Sequence, residues 1–116
     1  MAEEIEQYRF DKQVLLETAR QLQKDFESCG LEIHFTGNEV LPYEELLVQV
    51  KEQSDLAMRQ HAGAFQNLLY RVDIPESTFL LLHRTSLDFI HDLARTILER
   101  EFMKVVTRRM YSSGKK

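Results

Sequence analysis

Residues that interrupt regular structure are scarce in this sequence. Its 116 residues include one cysteine, four glycines, two prolines and no tryptophan. A single cysteine allows no internal disulfide bond, and the scattered glycines form no phosphate-binding loop. Because so few residues mark turns, long helices are expected rather than many short strands.

Long apolar runs are also lacking. The longest, residues 79–82, has four side chains, whereas a membrane-spanning helix needs about 20. The first ten residues are acidic and contain no apolar core, so no secretory signal is predicted. Together with the lone cysteine, which suits a reducing compartment, this composition predicts a cytoplasmic protein without a membrane partner.

The residues that are present are those of a folded domain. Hydrophobic residues make up 43% and charged residues 29% of the chain, whereas disordered chains contain fewer apolar side chains. This length suits one domain. We expect a helical domain over residues 1–110, followed by a flexible basic tail at 111–116.

Three segments show the apolar periodicity of amphipathic helices. They span residues 3–29, 42–72 and 74–110. Gly30 is suited to end the first helix in a left-handed conformation. Asp73 is placed to cap the third helix, with Pro75 in its first turn. The predicted fold is therefore all-α, a bundle of three long helices.

The segment between the first two helices has a different pattern. Residues 31–35 alternate apolar and polar side chains, which is the period of a strand with one buried face. A turn follows at 36–38, so a short β-hairpin over 31–41 is predicted. An ordered extended loop is the alternative.

The third helix carries more apolar residues than one helix face can hold. Since large exposed apolar patches are unusual on monomers, we expect a homo-oligomer, most simply a C2 dimer. A different protein is the alternative partner. A monomer whose third helix breaks at Thr85-Ser86 and folds back is the other alternative. The side chains expected to bury this surface, in a partner or in the core, are Phe79, Leu82, Phe89, Leu93, Phe102 and Val106.

Motifs that carry chemistry are sparse. Asp88 and His91 form one D-x-x-H pair, whereas carboxylate-bridged metal bundles use two such motifs and further glutamates. No second copy exists in the sequence. We therefore assign no metal ligand, no cofactor and no catalytic residue. A small-ligand or metal-binding bundle is the second alternative function.

The C-terminal segment is basic, whereas the rest of the chain is acidic. The overall net charge is −4, but the residues before Lys104 carry a net charge of −9. Lys104, Arg108 and Arg109 are candidates for binding phosphate or another anion, although the acidic remainder disfavours nucleic acid. The leading prediction is a non-enzymatic, self-associating interaction or scaffold module, with an anion or nucleic-acid binder as the first alternative.

Overall fold

Every regular element among the described residues is an α-helix. The computed structural model describes residues 7–8, 10–33 and 43–114. Within these ranges there are five helices and no strand, which confirms the all-α prediction but not the count of three. The helices are α1 (Lys12–Glu27), α2 (Tyr43–Gln60), α3 (Ala62–Arg71), α4 (Glu76–Thr85) and α5 (Phe89–Gly114).

Helix α1 is shorter than predicted because Asp11 caps its N-terminus, so that the helix begins at Lys12. The Asp11 Oδ1 accepts hydrogen bonds from the backbone N–H groups of Gln13, at 2.8 Å, and Val14, at 3.3 Å. Such a cap satisfies donors that have no partner within the helix. The predicted single helix over 3–29 is therefore interrupted: residues 7–8 are helical, but residue 10 lies in a turn and Asp11 caps a new helix.

The end of α1 agrees with the prediction. Gly30 has a φ of 80°, and the N–H of Leu31 donates to the carbonyl of Phe26 at 2.9 Å. Leu31 is buried against the core, as expected when a chain folds back after a left-handed residue. The predicted hairpin at 31–41 lies mostly outside the described residues, and residues 31–33 are not in a strand.

The predicted second helix is divided at His61. This residue has a φ of −140° and a ψ of 66°, and it separates α2 from α3. Gly63 lies two residues later, and its weak helix propensity lowers the cost of leaving helical geometry here. The sequence indicated a bend at Gly63 but not a break.

The predicted third helix is also divided. Asp73 does not cap it: with a φ of 64°, Asp73 ends α3, and the N–H of Ile74 donates to the carbonyl of Leu69 at 2.9 Å. Pro75 is the N-terminal cap residue of α4. Helix α4 then ends at Thr85, where Ser86 becomes extended with a ψ of 135°. The predicted third helix is therefore broken at Thr85-Ser86.

Helix α5 is the centre of the fold. It packs against α1, α2 and α4, and it continues to Gly114 rather than ending at Met110. A helix surrounded by others is apolar on several faces, which accounts for much of the apolar excess in this segment. Its fully buried side chains are Leu93, Ala94, Ile97, Leu98, Glu101, Phe102, Val105 and Val106.

None of the described helices combines the length and the apolarity needed to cross a lipid bilayer.

Candidate functional site

The six side chains predicted to bury the apolar excess divide into two groups. Leu93, Phe102 and Val106 are each 0% exposed, so they belong to the chain's own core. The other three, Phe79, Leu82 and Phe89, are partly buried and pack against that core. Spacing alone did not separate these groups because the break after Thr85 turns the two halves of the segment to different neighbours.

Two neighbouring leucines on α4 are among the large apolar side chains that remain exposed. This helix packs on α5 and contributes no fully buried residue. Leu80 is 46% exposed and Leu81 is 59% exposed. Together with Ser77 and Arg84, which are also exposed, they follow the spacing of one helix face. We call the face formed by Glu76, Ser77, Leu80, Leu81 and Arg84 the α4 face.

An apolar groove runs beside this face, between α3 and α4. Its volume is about 580 Å³. Leu80 forms part of one wall and Tyr70, 87% exposed, forms part of the other. Glu76 lies at its rim. The remaining apolar lining is Met58, Ala62, Phe65, Leu69, Ile74 and Phe79.

Aromatic contacts fix α4 in place beneath this surface. The ring of Phe79 meets Phe65 of α3 edge-on at 5.8 Å and Phe89 of α5 edge-on at 5.4 Å. His83 also contacts Phe89, at 5.3 Å between ring centroids. Edge-to-face pairs of this kind add roughly 0.5–1.5 kcal/mol beyond area burial. Helix α4, which carries the α4 face, is therefore held against α3 and α5 by the ring of Phe79.

Opposite charges mark the two ends of the α4 face. Glu76 stands four residues before Leu80, and Arg84 stands four residues after it. Neither forms an ion pair within the described part of the chain. The face is thus apolar in the middle, acidic at one end and basic at the other.

A second surface gathers basic side chains between α1 and α5. Arg108 and Arg109, predicted from the C-terminal segment, meet Arg20 and Lys24 of α1 in an open groove of about 630 Å³. Arg20 and Lys24 were not predicted from the sequence. Their spacing of four residues on one helix face was the available signal. We call this the basic groove.

Lys104, the third predicted anion ligand, lies outside the lining of the basic groove. Its Nζ donates to the carbonyl of Arg71 at 2.9 Å and lies 3.5 Å from Asp25 Oδ2. It is also 3.0 Å from Glu101 Oε1. Lys104 is therefore engaged by acidic groups of its own chain.

Asp25 and Glu101 form a carboxyl pair between α1 and α5. Asp25 is 4% exposed and Glu101 is 0% exposed. Desolvation by burial, followed by the hydrogen bond to Asp25, raises the pKa of Glu101 to about 8, against a partly opposing effect of Lys104. As a carboxylate, Glu101 finds no hydrogen-bond donor of favourable geometry among the described groups, despite its proximity to Lys104.

The pKa of Asp25 moves in the opposite direction. Burial by itself raises this pKa, but hydrogen bonds from Glu101 and Gln21, together with the charge of Lys104, outweigh burial and lower it. Of the two carboxyl groups, Glu101 is therefore the one that retains its proton more readily as the pH rises. Two carboxylates in contact would instead repel each other.

The D-x-x-H pair has a structural role. Asp88 Oδ1 accepts a hydrogen bond from the backbone N–H of His91 at 3.3 Å, at the start of α5. This is the geometry of a helix cap. Within the ranges that the structure describes, no group of three or more histidine, cysteine, aspartate or glutamate residues could hold a metal ion.

Comparison of the chain with protein-family models, curated proteins and solved structures gives no significant match.

Proposed function

We propose that this protein is a self-associating interaction module whose α4 faces pack against each other in a C2 dimer. The observation that carries the proposal is the α4 face itself, which is exposed, apolar at Leu80 and Leu81, and oppositely charged at its two ends. A two-fold interface uses the same patch on both subunits, so the patch has to be self-complementary.

An antiparallel arrangement of two α4 helices satisfies that requirement. With the two-fold axis near Leu80, Glu76 of one subunit lies opposite Arg84 of the partner subunit, and the reciprocal pair forms on the other side. The leucines then cover each other between the two ion pairs. A parallel arrangement would place like charges together, which is unfavourable at an interface.

We propose that a second copy of this chain, rather than a different protein, covers the α4 face. When two copies of the face are antiparallel, the acidic end of each lies opposite the basic end of the other. Leu80 and Tyr70 extend the apolar contact into the groove beside α4. One short helix and a flanking groove suit the small end of specific interfaces, about 1,200 Å² of total buried surface. After the cost of association, we expect a dissociation constant in the micromolar range.

Substitution of Leu81 tests the apolar part of this interface. Leu81→Glu places a charge in the middle of the α4 face, where burial of an unpaired carboxylate is costly. At concentrations where the wild type has twice the monomer mass of 13.7 kDa, we expect the variant to remain monomeric in light scattering.

Val48→Glu is the matched control. Val48 is an exposed apolar side chain on α2, 48% exposed, and it lies outside the α4 face. This variant should dimerise like the wild type. Dimerisation of Leu81→Glu at wild-type concentration, or a monomeric wild type at several hundred micromolar, would contradict the proposal.

A further inference from the structure

The basic groove concentrates positive charge in a chain that has more acidic than basic residues. There are 19 acidic and 15 basic residues in the sequence, yet Glu17 is the one carboxylate among the described residues that line the groove. Its Oε1 accepts a hydrogen bond from Arg109 at 2.6 Å. The other cations of the groove are left without that compensation.

Three of the four cations have no carboxylate partner in the described ranges. Arg108 donates instead to the neutral side-chain oxygen of Gln21, at 3.1 Å. Arg20 and Lys24 are exposed and form no ion pair with described residues. Like charges four residues apart on a helix destabilise it by a few tenths of a kcal/mol, so a bound anion would relieve a repulsion that the fold leaves in place.

We propose that the basic groove binds a compact anion that carries two or more adjacent phosphate groups. The guanidinium groups of Arg20 and Arg108 approach from different helices, and arginine matches phosphate oxygens in bidentate geometry. A groove of about 630 Å³ is within the size range of small-ligand sites. Because it is open along one side, the phosphates bind in the groove and the rest of the ligand extends outward.

A small anion fits the charge distribution better than a nucleic acid does. The chain outside the C-terminal segment has a net charge of −9, so a long polyanion would meet repulsion beyond the groove. Among the described residues, a ligand that fits between α1 and α5 meets four cations and the carboxylate of Glu17. The proposal is independent of self-association, since the basic groove and the α4 face share no residue.

Inorganic tripolyphosphate is the probe that tests the groove directly. In isothermal titration of the full chain we expect saturable binding that weakens as salt is raised from roughly 50 to 200 mM. Arg20→Ala and Arg108→Ala should each weaken binding at least fivefold. Arg95→Ala is the matched control, because Arg95 is also an exposed arginine of α5 but lines a different pocket; it should change the affinity less than twofold.

Glu17→Gln provides a test in the opposite direction. The substitution removes the groove's carboxylate and frees Arg109 from its ion pair, so tripolyphosphate should bind several-fold more tightly than to the wild type. A merely destabilised variant would bind more weakly, and helix content measured by circular dichroism separates the two outcomes.

Several results would overturn the proposal. These are the absence of saturable tripolyphosphate binding, an Arg95→Ala variant as impaired as Arg108→Ala, and unchanged or weaker binding by folded Glu17→Gln. A single-stranded oligonucleotide that binds more tightly than tripolyphosphate would instead show that the groove belongs to a nucleic-acid surface. Equal affinity for orthophosphate and tripolyphosphate would contradict the requirement for adjacent phosphates.

Discussion

Glu101 illustrates how position changes the charge state of a side chain. In the sequence it stands between basic residues, Arg100 and Lys104, and resembles an ordinary surface glutamate of a charged helix face. In the structure it is fully buried beside Asp25, and its pKa is raised to about 8. The folded state therefore holds a proton that the unfolded chain releases at a lower pH.

Because the buried Glu101 loses this proton at high pH, the stability of the fold falls as the pH rises. The pKa of Glu101 is about 8 in the folded state, compared with an ordinary value of 4.5. Folding thus favours the protonated form, and its contribution is fully present below about pH 4.5 and lost progressively up to about pH 8. We expect urea unfolding between pH 5 and 9 to show a loss of roughly a few kcal/mol attributable to this group.

Glu101→Gln should abolish that part of the pH dependence, because an amide donates to Asp25 without titrating. The variant should exceed the wild type in stability at pH 9. Glu52→Gln, at an exposed glutamate of α2, should leave the pH profile unchanged. A Glu101→Gln profile as steep as that of the wild type would show that Glu101 is not the titrating group.

For single residues, burial and tertiary contacts could not be predicted from the sequence, whereas local backbone conformation could. The charges of Glu101 and Lys104 can be read from the sequence, but the burial of Glu101 and the contact of Lys104 with Asp25 depend on the packing of α1 against α5, which no local pattern reveals. The same holds for Arg20, which joins Arg108 only through the tertiary contact of α1 with α5. By contrast, Gly30 was predictable because a left-handed helix end is a local property of the chain.

At the scale of the helices, the break between α4 and α5 is stabilised by short polar side chains. The Ser86 Oγ donates to Asp92 Oδ2 at 2.5 Å and accepts from the N–H of Asp88 at 3.2 Å. Such bonds offer the backbone an alternative to continuous helix. The sequence predicts Thr85-Ser86 as the alternative break point, but whether the helix continues there depends on how these hydrogen bonds compete with packing.

The cap of α5 predicts which half of the D-x-x-H pair matters for stability. Asp88→Ala removes the acceptor for the N–H of His91 and should cost about 1 kcal/mol in urea unfolding. His91→Ala keeps that backbone hydrogen bond and should change stability by less than about 0.5 kcal/mol. Equal losses in the two variants would contradict the capping role.

At the scale of the whole molecule, the apolar side chains of the predicted third helix divide between the core and the surface. Most of them enter the core, because α5 is central and surrounded. Leu80 and Leu81 on α4, and Leu87 between α4 and α5, remain at the surface. The number of apolar residues can be read from the sequence, but their division between core and surface depends on where the segment breaks and on which neighbours each half meets.

The most direct test of the self-association account is the solution mass of a charge-reversal series, measured by light scattering across protein concentration. Glu76→Arg places like charges at both ends of the antiparallel interface, as does Arg84→Glu, and each should weaken dimerisation by about tenfold. The double variant Glu76→Arg/Arg84→Glu restores opposite charges across the two-fold axis, so its dissociation constant should return to near the wild-type value. A double variant as weak as either single variant, or four proteins with the same mass profile, would contradict packing of α4 against its own copy.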